Sequence, residues 1–169
     1  MKSRNLDHSF SDAPAAELSL PGPAFVDLLQ TVLEKGMRFR FQASGFSMSP
    51  FIKNGDVVTV YPLAECSPVI GDVVAFIRQN AGKLVVHRLV REKNGSYLIH
   101  GDNTPGSDGL VGKSNILGCV KQVERNGKKV LMGLGPEKYL IAFLSRAGVL
   151  PPLLALMRRL AQVLFRFNR

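Results

Sequence analysis

The chain has 169 residues, of which 46% are hydrophobic and 21% charged. This length fits one domain with its own core, and this composition excludes a wholly disordered chain. The net charge is +9 and is unevenly distributed: residues 38–136 carry +6, and the shorter C-terminal end, residues 137–169, holds six basic residues and one acidic residue. A basic and apolar end of this kind points to an anionic surface, and its apolar content favours lipid over nucleic acid.

The chain has only two cysteines, Cys66 and Cys119, and neither has neighbours at the spacing of a metal site. Two cysteines are too few for a disulfide framework. Buried thiols are therefore favoured over a single bridge. We expect no metal ion and no cofactor.

The N-terminal residues 1–22 are polar and rich in Ser and Ala, which predicts a mobile leader. They contain no apolar run of the length that a secretory signal peptide needs. From Pro23 the apolar residues recur as one face of a helix, and Gly36 supplies a C-terminal stop. The pattern predicts a helix over 23–36.

After Gly36 the period of the apolar residues changes to two, which is typical of half-buried strands. Two Asn-Gly pairs, Asn94-Gly95 and Asn126-Gly127, predict tight hairpin turns. Short apolar segments bounded by turn residues predict an antiparallel, mainly β domain. The predicted strands are 37–44, 56–62, 71–78, 83–92, 96–101, 116–125 and 128–134.

The last part of the chain returns to a helical pattern, with predicted helices over 139–146 and 152–167 and a break at 148–151. The second helix has one apolar face and a basic remainder that includes Arg158 and Arg159. Such a helix can lie in a membrane interface, or it can pack on the β domain or on a partner. Residues 140–157 are too interrupted by charge and proline to predict a membrane span.

A serine in the segment 45–50, GFSMSP, lies between two predicted strands. A nucleophilic serine needs an exposed turn with backbone N–H groups nearby for the developing oxyanion. Gly45 and Pro50 fit such a turn around Ser47. A serine between Gly and Pro is more often only a turn residue, so this segment alone leaves both interpretations open.

A histidine, His87, stands in a predicted strand that is otherwise aliphatic, where a polar ring needs a partner. The segment 98–108 then reads as a strand followed by a polar loop with two carboxylates, Asp102 and Asp108. Either carboxylate could orient the histidine, as in a Ser-His-Asp triad. The loop could equally be solvated or hold a cation weakly, although its spacing is not that of an EF-hand.

Several short boxes occur in one order along residues 36–125, and together they resemble the signal peptidase I clan. The resemblance is to the branch with histidine as base, as in archaeal, sporulation-associated and endoplasmic-reticulum signal peptidases. The boxes are Ser47-Met48-Ser49-Pro50, Gly71-Asp72-Val73-Val74, Val86-His87-Arg88-Leu89, Gly101-Asp102-Asn103 with Asp108, and Gly118-Cys119-Val120.

The resemblance implies a serine endopeptidase that cleaves an extended peptide after small residues, on a curled antiparallel signal-peptidase or LexA-like β domain. It implies Ser47 as nucleophile, His87 as general base and Asp108 as the orienting carboxylate. Asp102 would support the loop, and Met48 would shape the floor of the substrate groove. LexA-type repressors use a lysine base, but Lys83 lies four residues before His87, in the wrong register.

Two departures from these relatives affect the interpretation. Many relatives have a serine where this chain has Gly45, so the oxyanion would be bound by backbone N–H groups alone, chiefly that of Ser47. We also expect no N-terminal membrane anchor, and therefore a peripheral membrane or cytoplasmic location.

The sequence predicts three regions: a leader over 1–22, a peptidase domain over 23–136 and basic amphipathic helices over 137–169. The expected partners are a polypeptide substrate and an anionic membrane surface, and not nucleic acid. A non-catalytic relative that binds an extended peptide remains the alternative.

Overall fold

A computed structural model describes residues 22–78 and 82–167 of the chain, with side chains up to residue 163. The predicted leader lies outside the described residues, except for Gly22. In chain order the elements are α1 (Gly22–Glu34), β1 (Phe39–Gln42), β2 (Val57–Pro62), β3 (Val73–Arg78), β4 (Lys83–Lys93), β5 (Ser96–His100), β6 (Ser107–Gly112), a 3-10 turn (Lys113–Asn115), β7 (Ile116–Arg125), β8 (Lys128–Lys129), α2 (Lys138–Arg146) and α3 (Leu150–Phe167).

The strands form one eight-stranded antiparallel sheet with the order β1-β2-β7-β3-β4-β5-β6, and β8 pairs with β7. The sheet curls into a half-barrel, with α1 before it and α2 and α3 after it. The fold class predicted from the sequence, mainly β with an N-terminal helix and C-terminal helices, is confirmed.

Both predicted Asn-Gly turns are present at the tips of hairpins. The φ angles are 50° at Asn94 and 74° at Gly95, and 51° at Asn126 and 74° at Gly127. A two-residue turn of type I′ requires positive φ at both central residues, which Asn tolerates and Gly adopts freely. These turns fix the register of β4 on β5 and of β7 on β8.

The main core lies between α1 and the sheet. Leu29 is fully buried there, and Leu33, Val58, Val60 and Val120 surround it. Burying a leucine side chain stabilises the fold by about 1.5–3 kcal/mol. The face of α1 that packs is narrower than the sequence suggested, because Leu28 stays exposed.

Three predicted elements differ in the structure. The loop predicted after β5 contains the strand β6, which forms because β5 supplies its hydrogen-bond partners. The strand predicted over 128–134 pairs at only two residues. The helix α3 begins at Leu150 and takes Pro151 and Pro152 into its first turn, where a missing N–H breaks no intrahelical bond.

The thiols and the C-terminal helices complete the fold. Cys66 and Cys119 are both buried and free, as expected. Among the described residues, no single helix is long and apolar enough to cross a membrane. Lys138–Arg146 and Leu150–Val163 reach that length only as a pair, and the pair is bent by 108°.

Candidate active site

Ser47 lies in the connection between β1 and β2, in a turn that a glycine makes possible. Gly45 has a φ of 97°, which lies in the left-handed region that residues with a side chain rarely adopt. The turn continues with a hydrogen bond from the Ser49 N–H to the Phe46 carbonyl at 3.1 Å. The backbone conformation therefore favours Gly45 over the serine that many relatives have, since a serine at this φ would be strained.

His87 connects the serine to a carboxylate. It sits on β4 opposite Val74 of β3, and its ring is almost fully buried. Its Nε2 lies 2.8 Å from the Ser47 Oγ, and its Nδ1 contacts the Asp108 carboxylate. An ionised Asp108 can only accept a hydrogen bond, so it selects the tautomer with the proton on Nδ1. The Nε2 lone pair then faces the serine hydroxyl.

Asp108 lies on β6, and its side chain is 4% exposed. Burial by itself would raise the pKa of Asp108, but the hydrogen bonds and charges of His87 and Arg78 hold it below its ordinary value. Arg78, at the end of β3, is half exposed and also contacts the Asp108 carboxylate. The group that faces His87 is therefore an anion at neutral pH.

Asp102 occupies a different place, although it lies only six residues earlier. Both oxygens of its carboxylate accept hydrogen bonds from Arg88, at 2.8 Å from Nε and 2.7 Å from Nη2. Arg88 also donates to the carbonyls of Gly71 and Gly133. Both charged side chains are fully buried. Of the two carboxylates that the sequence offered, the structure brings Asp108 to His87 and pairs Asp102 with Arg88.

The loop after β5 also holds the turn that carries Ser47. The Asn103 N–H donates to the Ser47 carbonyl at 2.7 Å, and its Nδ2 donates to the Phe46 carbonyl at 3.1 Å. A Cβ on Gly101 would lie 2.8 Å from the Thr104 Oγ1 and 3.0 Å from both the His87 Nε2 and the Ser47 carbonyl oxygen, so a side chain there would crowd the ring. Arg158 of α3 donates to the Asn103 Oδ1 at 2.8 Å.

The sequence did not assign a role to Asn103, Arg78 or Arg158. Asn103 could have been noticed, because it stands in the Gly-Asp-Asn box beside Asp102. Arg78 and Arg158 gave no signal, since their partners lie 30 and 55 residues away in the chain.

The backbone N–H groups of Ser47 and Gly45 differ in whether they already have a hydrogen-bond acceptor. Among the described residues, the Ser47 N–H has no hydrogen-bond acceptor, so it is free to bind a developing oxyanion. The Gly45 N–H is already used, because it donates to the Asn54 Oδ1 at 3.0 Å. Within residues 22–78 and 82–167, no cluster of three or more His, Cys, Asp or Glu could hold a metal ion.

A groove of about 950 Å³ opens beside Ser47 and His87. Met48, whose side chain is 4% exposed, lines the groove and also contacts the core cluster of α1. Lys83 lines the groove as well, while the hydrogen-bond partner of the Ser47 Oγ is His87. The remaining lining comes chiefly from Phe25 and Val26 of α1 and from the segments 41–45 and 82–87.

Within the described part of the chain, two strands that line the groove have an unpaired edge. Among the strands of residues 22–78 and 82–167, β1 is the first of the sheet and pairs with β2 alone. In the same residues, the first half of β4, residues 83–87, pairs with β3 alone, because its pairing with β5 begins at Arg88. Free backbone N–H and C=O groups of this kind can bind an extended peptide as an added strand.

Comparison with known proteins agrees with this architecture. A family model described as Peptidase S24-like matches residues 15–120, a span that contains Ser47, His87 and Asp108 and ends before α2. No curated protein matches the chain. The match supports the S24/S26 clan that the boxes indicated, without distinguishing its histidine branch. Because the match covers more than half of the 169 residues, the chain belongs to the Peptidase S24-like family.

Proposed function

We propose that this protein is a serine endopeptidase of the signal-peptidase type, which cleaves an extended peptide after small residues. The observation that carries the proposal is the continuous series of contacts from Asp108 through His87 to the Ser47 Oγ, beside an open groove. Nucleophile, base and orienting group in this order are the arrangement that acyl transfer requires.

The contacts support a definite order of proton transfers. His87 takes the proton of the Ser47 hydroxyl on its Nε2 as the Oγ attacks the scissile carbonyl. Asp108 stabilises the imidazolium that forms, and the Ser47 N–H stabilises the oxyanion. His87 then gives the proton to the leaving amine, which releases the C-terminal product. Water attacks the acyl-enzyme in the same manner and frees Ser47.

The groove supports a peptide in the extended conformation. The edges of β1 and of residues 83–87 offer backbone hydrogen bonds on both sides of such a strand. Phe25, Val26 and Met48 make the lining apolar. The preference for small residues before the cut comes from the resemblance to signal peptidases, and it is part of the proposal.

The test is mass spectrometry of detergent-solubilised precursor peptides in which further residues follow Ala-x-Ala, after incubation with the wild type and with Ser47→Ala. We expect cleavage by the wild type at one site and none by Ser47→Ala. Ser49→Ala is the matched control, because it removes a second hydroxyl from the same turn and should cleave normally. The rate should rise between pH 5 and pH 8, as a histidine base loses its proton.

Equal cleavage by Ser47→Ala and the wild type would contradict the assignment of the nucleophile. A flat pH profile would contradict His87 as base. If no peptide is cut but Ser47→Ala and the wild type bind the peptides equally, the protein is instead a peptide-binding relative with the same groove.

A further inference from the structure

Only the first turns of the helix α3, among its residues with described side chains, are buried against the body of the protein. Leu150 and Leu154 are buried against α2 and Phe51, but every residue from 155 to 163 is exposed. Five large apolar side chains on this helix are between 38% and 59% exposed, and they recur at helical spacing. These residues form the α3 stripe: Leu153, Leu156, Met157, Leu160 and Val163.

The charges around the α3 stripe indicate which kind of surface binds to it. Residues 139–163 contain Arg146, Arg158 and Arg159 and no acidic residue. A second copy of the chain would bring the same basic helix and a second net charge of +9, so pairing of two copies is opposed by charge. An apolar stripe flanked by arginines instead matches the headgroup region of an anionic bilayer.

Hydrogen bonds connect α3 to the turn that carries Ser47. Arg158 donates to the Asn103 Oδ1 at 2.8 Å, and Asn103 in turn donates to the carbonyls of Phe46 and Ser47. Asn103 alone therefore lies between Arg158, in the middle of α3, and the turn that carries Ser47. Whatever binds α3 lies close to Ser47.

We propose that α3 is an interfacial helix that docks the protein on an anionic lipid bilayer through the α3 stripe. The docked helix holds the catalytic groove at the bilayer surface, so the substrates are peptide segments tethered to that surface. The docking is independent of catalysis, whereas the substrate class rests on the proposed peptidase function.

Docking is tested by co-sedimentation of the full chain with vesicles of equimolar phosphatidylglycerol and phosphatidylcholine. We expect the wild type to bind these vesicles and to bind pure phosphatidylcholine less. Leu156→Glu/Leu160→Glu should weaken binding by more than about tenfold, since it places two charges on the helix face that enters the bilayer. Arg159→Gln should weaken it by about fivefold, an effect that salt reduces.

The matched control is Leu63→Glu, which changes an exposed leucine in the connection after β2, outside the α3 stripe. It should bind vesicles like the wild type, and circular dichroism should show that all variants are folded. The docking proposal is overturned if the wild type does not bind the mixed vesicles or if Leu156→Glu/Leu160→Glu binds them equally. It is also overturned if the wild type is a dimer that this double variant makes monomeric.

The substrate class is tested with one peptide in two forms, free in solution or attached to the mixed vesicles through a lipid. The wild type should cleave the attached form faster, and Leu156→Glu/Leu160→Glu should lose that advantage while cleaving the free form normally. Equal wild-type rates on both forms would overturn the substrate class. Cleavage of neither form would contradict the peptidase function, and co-sedimentation would still decide the docking.

Discussion

Asp102 and Asp108 belong to the same short stretch of chain, yet the structure places them in two different surroundings. Asp102 faces Arg88, and both side chains are fully buried and joined by two hydrogen bonds. Asp108 is also buried, but it lies between the His87 ring and the half-exposed Arg78. One carboxylate has a permanent cation as its partner, and the other has a ring that can gain or lose a proton.

This difference separates a structural carboxylate from one suited to catalysis. A buried carboxylate held by arginine has no proton donor or acceptor of a reaction beside it, so it fixes the positions of backbone segments. A carboxylate beside histidine sets the tautomer and stabilises the charged ring when it forms. The predictions below separate these two roles, from the largest expected effect to the smallest.

The largest effect is expected for Asp108→Asn. The amide cannot stabilise the imidazolium and favours the wrong tautomer of His87, so the cleavage rate should fall by about 10⁴-fold. Asp108→Asn also removes the stabilisation that the ionised carboxylate contributes, but this loss should be smaller than in Asp102→Asn, because Arg78 is half exposed. Peptide cleavage assays together with urea unfolding check both statements, and a rate near that of the wild type would remove Asp108 from the mechanism.

The loss of unfolding free energy should be larger for Asp102→Asn than for Asp108→Asn. This variant leaves the Arg88 guanidinium buried without its hydrogen-bonded carboxylate, which costs about 3–5 kcal/mol of unfolding free energy. In Arg88→Met/Asp102→Leu the charges are removed together, and the loss should be smaller, although the carbonyls of Gly71 and Gly133 lose a donor. If urea unfolding shows the double variant to be the less stable one, the pair is not held as described.

Acid should destabilise the protein through the carboxylates that cations hold ionised. Burial by itself would raise the pKa values of three carboxylates, but cationic neighbours hold all three below 3.8. The neighbour of Asp56 is Arg125, those of Asp72 are Lys121 and Lys138, and those of Asp108 are His87 and Arg78. The folded state therefore binds these protons more weakly than the unfolded state does. Their contribution to stability is complete above about pH 4 and is lost as the pH falls below 3.8.

Thermal unfolding measured at a series of pH values tests this dependence. Asp108→Asn should show a shallower loss of stability below pH 3.8 than the wild type, because one of the three carboxylates is gone. Identical slopes in both proteins would show that Asp108 is not held ionised by its neighbours.

The smallest effect is expected for Arg78→Met. The arginine is half exposed, so its loss should change the unfolding free energy by less than about 1 kcal/mol. Without the guanidinium, Asp108 stabilises the charged form of His87 more strongly, and the pH of half-maximal cleavage should move upward. Arg40→Met, which removes an exposed arginine paired with Glu124, is the control and should leave this midpoint unchanged. A downward shift in Arg78→Met would contradict the contact between Arg78 and Asp108.

Much of the fold was predictable because local patterns determine local structure. The period-two segments gave β2, β3, β4, β5 and β7 close to their observed bounds, and the Asn-Gly pairs gave both hairpin turns. The strand β6 was missed, because SDGLVG has two glycines and little alternation, and its strand conformation depends on pairing with β5. Pro151 and Pro152 misplaced the start of α3, since proline ends a helix but also fits its first turn.

The sequence by itself determined the residue types of the candidate site and their order along the chain, because short boxes can be read without a fold. The family resemblance implied Asp108 for His87, and the structure has this contact, whereas only the tertiary structure decided the pairing of Asp102 with Arg88 and of Arg158 with Asn103. A hydrogen bond requires two atoms within about 3 Å. Periodicity predicts which face of a strand a side chain occupies, whereas the register and curl of the whole sheet determine what it meets there.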